Sequence, residues 1–167
     1  MQTWKTSWSI LLLARSIIAQ TAVKKTADKA IGISCGGRNT KIHALVDGLG
    51  NPLAFLLSAG NEHDSKCALS LLEKVDIKGS NIIADKGYSA QYIFEYIESR
   101  GAAYTIPYKS ITKARWSVDW HTYKERHLIE CFFQKLKTYR RIATRYDKHD
   151  DSFLAFIHIA SIMILLK

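Results

Sequence analysis

The chain has 167 residues, 47% hydrophobic and 23% charged, a length at which one globular domain can bury a core. Lysine plus arginine outnumber aspartate plus glutamate 24 to 15, and the formal charge of +9 favours a polyanionic partner because each neutralised phosphate releases counterions, although a basic protein with no nucleic-acid role shares that composition. Cys35, Cys67 and Cys131 are odd in number and form no C-x-x-C pair, which argues against a disulfide framework or a zinc site and implies a reducing cytoplasm.

The first apolar run, 8–19, is interrupted by Arg15 and falls short of the ~20 residues that a membrane span needs. Lys5 followed by the apolar 10–14 only faintly imitates a signal peptide. Two β-like runs, 40–46 and 52–58, flank DGLGN, whose Gly, Asp and Asn supply turn geometry and predict a hairpin. Asp64 or Ser65 can then cap a helix with Ala68, Leu69, Leu72 and Val75 as its apolar stripe. A short strand over 81–84 ends at Asp85-Lys86-Gly87-Tyr88. Ser89 caps a helix to Arg100 with Ile93, Tyr96 and Ile97 on one face, and Gly101 stops it. A second short strand is expected at 103–107 and a basic loop at 109–116. One long helix is expected from Asp119 to about Tyr139, then a polar connection (RRIATRYDKHD), then a buried apolar helix starting at Asp151 or Ser152. His158 reads as a core or helix-edge histidine in that last helix. The order predicts a mixed α/β layer architecture, helices covering a sheet.

Two places could carry chemistry. Tyr123, Arg126, Glu130 and Lys137 fall within roughly 60° of arc on the long helix, opposite Leu128, Ile129, Phe132 and Leu136, so one carboxylate stands between two cations on one face. A solvated i, i+4 pair of Arg126 with Glu130 is the plainer reading of that spacing alone. Asp85 ends a short buried strand, where open α/β sheets display ligands, though turns and caps use Asp in the same way. His121 and His127 suit no zinc pattern and read as surface residues. Gly36-Gly37 reads as a turn. His43 reads as a solvated strand residue. Trp116 and Trp120 could stack on an unpaired base, or simply pack near a helix start.

From Gly36 onward, GGRNTKIHALVDGLGNPLAFLLSAGNEHD, IIADKGYSA and YKERHLIECFFQKLKTYRRIATRYDK resemble the catalytic domain of bacterial insertion-sequence DDE transposases. Tyr123-x2-Arg126-x3-Glu130-x6-Lys137 matches the Y-R-E-K signature of the insertion-sequence 4/5 group. The resemblance implies an RNase H-like mixed sheet flanked by helices, and DNA transposition by phosphodiester cleavage and strand transfer at transposon ends. It implies Asp85 and Glu130 as catalytic and metal-binding carboxylates and Mg²⁺ (or Mn²⁺) as cofactor, hard ions that prefer carboxylate and phosphate oxygens. It further implies Tyr123, Arg126, Lys137, Lys86, Arg140 and Arg141 as DNA contacts, transposon ends and target DNA as partners, self-association into a homo-oligomer, no membrane, and a nucleoid-associated cytoplasmic location.

The departure lies at the first acid. Members of the group carry an Asp, in an Asp-Ser-Thr strand, upstream of the Gly-Gly pair, whereas here the matching region is WSILLLARSIIAQTAVKK and no acidic residue precedes Asp28. Registering this region on the group's pattern puts Ile10 near the missing Asp. The segment looks like a helix or a signal rather than a strand, so the first strand is expected to be missing or replaced by a helix. The chain then divides into an atypical, frame-damaged segment, 1–30, and a partial catalytic domain, 31–167. Catalysis is expected to be impaired. The alternatives are a non-catalytic DNA-binding or dimerising remnant, and a nuclease in which Asp28 or Asp47 replaces the lost acid.

Overall fold

The structure is a computed structural model that describes residues 11–22, 30–34, 37–110, 112 and 116–167, with the backbone alone at 11–16 and 34. The hairpin forms as expected from β3 (Gly37–Val46) and β4 (Pro52–Ala59). Its turn is organised by Asp47, whose Oδ1 accepts the Leu49 and Asn51 amides at 2.9 and 2.8 Å and whose Oδ2 accepts Asn51 Nδ2 at 2.9 Å. Gly50 closes the turn at φ +85°, a value that favours glycine.

The first strand corrects the sequence reading. Residues Leu11–Thr21 form β1, neither lost nor helical, and β1 lies in the middle of the sheet. It runs antiparallel to β3 from Leu13↔Val46 to Gln20↔Asn39 and parallel to β5 (Asn81–Ala84) from Leu11↔Asn81 to Ala14↔Ala84. A run apolar on both faces is what a central strand covered on two sides presents, and periodicity does not separate it from a buried helix. β6 (Ala103–Thr105) pairs parallel to β5, and β2 (Gly32–Ser34) pairs with the start of β3. The connection expected to be polar folds instead into α5 (Arg140–Ala143) and β7 (Thr144–Arg145), the latter parallel to the end of β1.

Helices cover both faces. On one, α1 (Asp64–Leu72) and α2 (Gln91–Ser99) enclose Leu45, Leu71, Ile82, Ile93 and Ile97. The caps sit at His63 and Ala90 rather than at Asp64 or Ser65 and Ser89; His63 Nδ1 accepts the Ser65 amide. On the other face, α4 (His127–Lys137), α5 and α6 (Asp150–Leu165) enclose Ile42, Ile83, Ile129, Phe132, Leu136, Phe153 and Ile157. Each fully buried Leu or Ile contributes about 1.5–3 kcal/mol, so these two cores, more than any ion pair, hold the helices to the sheet.

The long helix expected over 119–139 forms without interruption from Trp120 to Lys137, as α3 (Trp120–Tyr123), a tightened 3₁₀ turn (Lys124–Arg126) and α4, with right-handed helical dihedrals at the junctions. Asp119 caps α3 by accepting the His121 and Thr122 amides at 3.0 and 3.1 Å. Trp116 is a packing residue: its Nε1 donates to Ile106 O at 3.0 Å and its ring lies edge-on to Phe94 and Tyr108. The last helix is buried along one side only, through Phe153, Ile157, Ala160 and Ser161, while Ile159, Ile162 and Met163 are exposed. His158 lies at its edge, in contact with the Phe55 ring. Among the described residues no helix is long and apolar enough to cross a membrane.

Candidate active site

Asp85 leaves the sheet directly after Ala84 and precedes a 3₁₀ turn, Lys86–Tyr88; its side chain makes no capping bond there, and 43% of it is exposed. From the other side, the apolar stripe Ile129, Phe132, Phe133 and Leu136 holds α4 against the sheet and turns Glu130, 34% exposed, toward the same edge. Arg126 joins them. Its Nη1 is 2.7 Å from Glu130 Oε1 and 4.0 Å from Asp85 Oδ2, so one guanidinium nitrogen serves two carboxylates from distant parts of the chain. The tightened turn explains the placement: in a 3₁₀ turn the i and i+3 side chains eclipse, which sets the Arg126 guanidinium over the Tyr123 ring at 5.3 Å. Tyr123 meets Trp120, 55% exposed, edge-on at 5.7 Å. Arg126 Nε is buried and has no hydrogen-bond partner among the described residues.

The basic residues separate into two groups. Lys137 lines a cleft with Glu130, Ile17, Phe133 and Gln134, and Lys86 lines one with Asp85, Asp64, Gly87 and Lys109. Arg140 and Arg141 lie elsewhere, along an apolar cleft between α5 and α6. Arg141 stacks over Phe156 at 4.3 Å and reaches Asp147 at 3.4 Å, so it fastens helices together.

The strand register sets one position of β1 level with Asp85. Ala14 pairs with Ala84, so one step further sets position 15 level with Asp85, and position 15 is Arg. Ile10 lies outside the described residues, and β1 runs several residues beyond it before coming level with Asp85. Asp47 is no replacement, because both its oxygens are engaged in the hairpin turn. Asp28 lies outside the described residues. Among the described residues no three His, Cys, Asp or Glu side chains converge as a metal centre requires. Asp85 and Glu130 are hard oxygen donors suited to Mg²⁺ or Mn²⁺, but with a guanidinium between them and, among the described residues, no third carboxylate converging on both, the set does not fit a complete two-ion centre.

Sequence reasoning missed His43. Far from being solvated, it is fully buried under α1, with Nε2 2.8 Å from Ser58 Oγ and Nδ1 3.1 Å from Tyr88 Oη. Burial pushes its pKa down to about 4, with Asp64 opposing the shift and Lys41 adding to it. The available signal was the apolar alternation of β3, in which His43 shares the face of Leu45.

Residues 20–166 match the family described as "Transposase DDE domain". A putative transposase for insertion sequence element IS6501 from Brucella ovis is 42% identical over 130 residues, covering 77% of this chain and 98% of that protein. The solved piggyBac transposase synaptic complex with hairpin DNA superposes with a TM-score of 0.58 at 12% identity, over 92% of this chain. The chain spans 46% of that larger protein, and the likeness is one of fold. The chain belongs to the transposase DDE domain family, among the bacterial insertion-sequence DDE transposases, and its mixed sheet is flanked by helices as expected.

Proposed function

We propose that the chain, with β1 as the central strand of its sheet rather than part of a separate segment 1–30, is the catalytic domain of an insertion-sequence transposase that engages DNA across the Asp85, Arg126 and Glu130 face, with cleavage and strand transfer impaired at the first acid. The observation that carries this reading is the single guanidinium spanning Asp85 and Glu130, at 4.0 and 2.7 Å, beside a strand whose level position holds Arg15. In the family's chemistry a divalent pair would activate the attacking oxygen and stabilise the leaving one. The residues here do other work. Arg126 offsets the charge of both carboxylates, Tyr123 supports its guanidinium, and Lys137 and Lys86 draw phosphates to the two clefts.

The test is Mg²⁺-dependent cleavage of a duplex carrying the insertion-sequence end. The wild-type chain is expected to cleave at background rate and Arg15→Asp to gain activity. Cleavage by the wild-type chain that disappears in Asp85→Ala or Glu130→Ala would overturn the impairment. The second reading, a DNA-binding remnant without chemistry, is favoured by the Arg126 pairing; it requires salt-dependent duplex binding in a gel-shift titration and fails without it. Frame damage in 1–30 predicts an Asp-Ser-Thr strand in another frame of the encoding DNA, which sequencing that region would reveal.

A further inference from the structure

The turn that presents Asp85 is short. It holds two backbone bonds, Tyr88 N to Asp85 O at 2.9 Å and Ser89 N to Lys86 O at 3.1 Å, and its middle residue is Gly87. A rotation of that turn would swing the Asp85 carboxylate, which makes no capping bond of its own. At its far end Tyr88 is driven into the core between Ala68, Leu71 and Ile93, and its hydroxyl reaches the imidazole of His43 at 3.1 Å. A phenylalanine would fill the same apolar space; a buried phenol needs a hydrogen-bond partner and has one here.

His43 is well placed to hold that hydroxyl still. It lies mid-strand in β3, level with Ser16 of β1 and Leu56 of β4, so the sheet fixes its backbone on both sides. Ser58 turns its own hydroxyl toward Ala59 O at 3.5 Å, which leaves Ser58 Oγ to accept from His43 Nε2–H. The other ring nitrogen, Nδ1, then carries the lone pair and accepts the Tyr88 hydroxyl hydrogen. The chain of donors runs from Tyr88 to His43 to Ser58 to Ala59. Burial favours the neutral imidazole that this relay needs.

We propose that His43 is a positioning residue of the site: by accepting the Tyr88 hydroxyl, it orients the turn from Asp85 to Tyr88 and so the Asp85 carboxylate. This rests on the reading of Asp85 as a site acid, and the experiment separates the two. NMR of the isotopically labelled full chain at neutral pH reads three signals: the ring nitrogens of His43, the amide exchange of Tyr88 and Ser89, and the side-chain carboxyl carbon of Asp85. In the wild-type chain His43 should be the neutral Nε2–H tautomer. Tyr88→Phe, which keeps the ring, should shift the Asp85 carboxyl signal and speed exchange of the two turn amides by roughly three- to tenfold, the scale of one lost hydrogen bond. Exchange in α4 should be unchanged. His43→Leu should do the same, and His43→Gln, which retains a donor and an acceptor, should restore the wild-type signals.

A folded Tyr88→Phe chain with unaltered Asp85 and turn signals would overturn the proposal, as would an Nδ1–H tautomer in the wild-type chain. If His43→Leu does not fold, Tyr88→Phe decides alone. Affinity for a DNA duplex is measured on the same variants. Moved turn signals with unmoved affinity would uphold His43 as the positioning group and remove Asp85 from the DNA-engaging face.

Discussion

Arg126 forms an ion pair with Glu130 at 2.7 Å and stands 4.0 Å from Asp85, so both carboxylates compete with any incoming phosphate for one guanidinium. At about 4 Å a unit charge pair in a watery setting is worth about 1 kcal/mol, or roughly fivefold in affinity. Glu130→Gln should therefore tighten duplex binding by up to about fivefold at low salt, whereas Arg126→Ala should weaken it. Fluorescence anisotropy of a labelled duplex reads both, and equal affinities for all three chains would remove Arg126 from the DNA contact. His43 supports a second prediction. Its folded pKa, about 4, lies below the 6.5 of the free side chain, so the unfolded chain binds the extra proton first and stability falls as pH drops through that window. By pH 5 the loss should be about 2 kcal/mol, seen in urea unfolding at pH 7 and pH 5 and absent from His43→Gln. The two acids that meet at Arg126 were reached in the sequence by different routes, Glu130 through the Y-R-E-K spacing and Asp85 through the end of a short apolar strand. His43 was not, because alternation along a strand says which residues share a face but not that both faces are covered.

At the scale of elements, the hairpin, α1, α2 and β5 were legible because turn chemistry and apolar period agree over 40–100. β1 was not, since LLLARSIIAQT lacks alternation and its strand state is imposed by pairing with β3 and β5. Nor were α5 and β7, four and two residues long and too short to propagate without tertiary support. The 3₁₀ turn between α3 and α4 has a structural consequence, because it stacks Arg126 on Tyr123. Asp119 holds the start of that arrangement, and hydrogen bonds from Thr122 keep its carboxyl below the usual range. Asp119→Ala should therefore speed amide exchange at His121 and Thr122 and lower affinity for DNA through Tyr123 and Arg126. In the wild-type chain the protection of these amides, measured against their intrinsic exchange rate at each pH, should fall on acidification below the ordinary carboxylate range, since a depressed carboxyl loses its contribution as it protonates. Exchange that ignores both changes would mean the turn is held by packing alone.

At the scale of the molecule, a buried arginine ties the two ends of the fold. Arg145 is fully buried; it donates to Thr40 Oγ1 and to Asp147 O at 3.0 Å each, and pairs with Asp150 at the start of α6. Asp150 also accepts the Ala30 amide, so β3, β7, α6 and the segment before β2 meet at one charge pair. Removing one partner leaves the other charge buried and unpaired, and Asp150→Ala should cost about 3 kcal/mol in urea unfolding, far more than an exposed pair would. A loss below about 1 kcal/mol would mean that water or Asp147 replaces Asp150.

The net charge of +9 is spread over several surfaces, and geometry rather than composition decides which cations meet DNA. Lys137 and Lys86 line the clefts at Glu130 and Asp85, while Arg141 is engaged with Phe156 and Asp147 on the α5/α6 side. Each phosphate contact contributes about 0.9 to the slope of log affinity against log salt. Lys137→Ala and Lys86→Ala should each flatten that slope by about one unit, and Arg141→Ala should leave it unchanged while loosening α5 from α6. If Arg141→Ala flattens the slope as much as Lys137→Ala, the DNA path runs over the α5/α6 surface and the face built on Asp85 and Glu130 is not where the duplex lies.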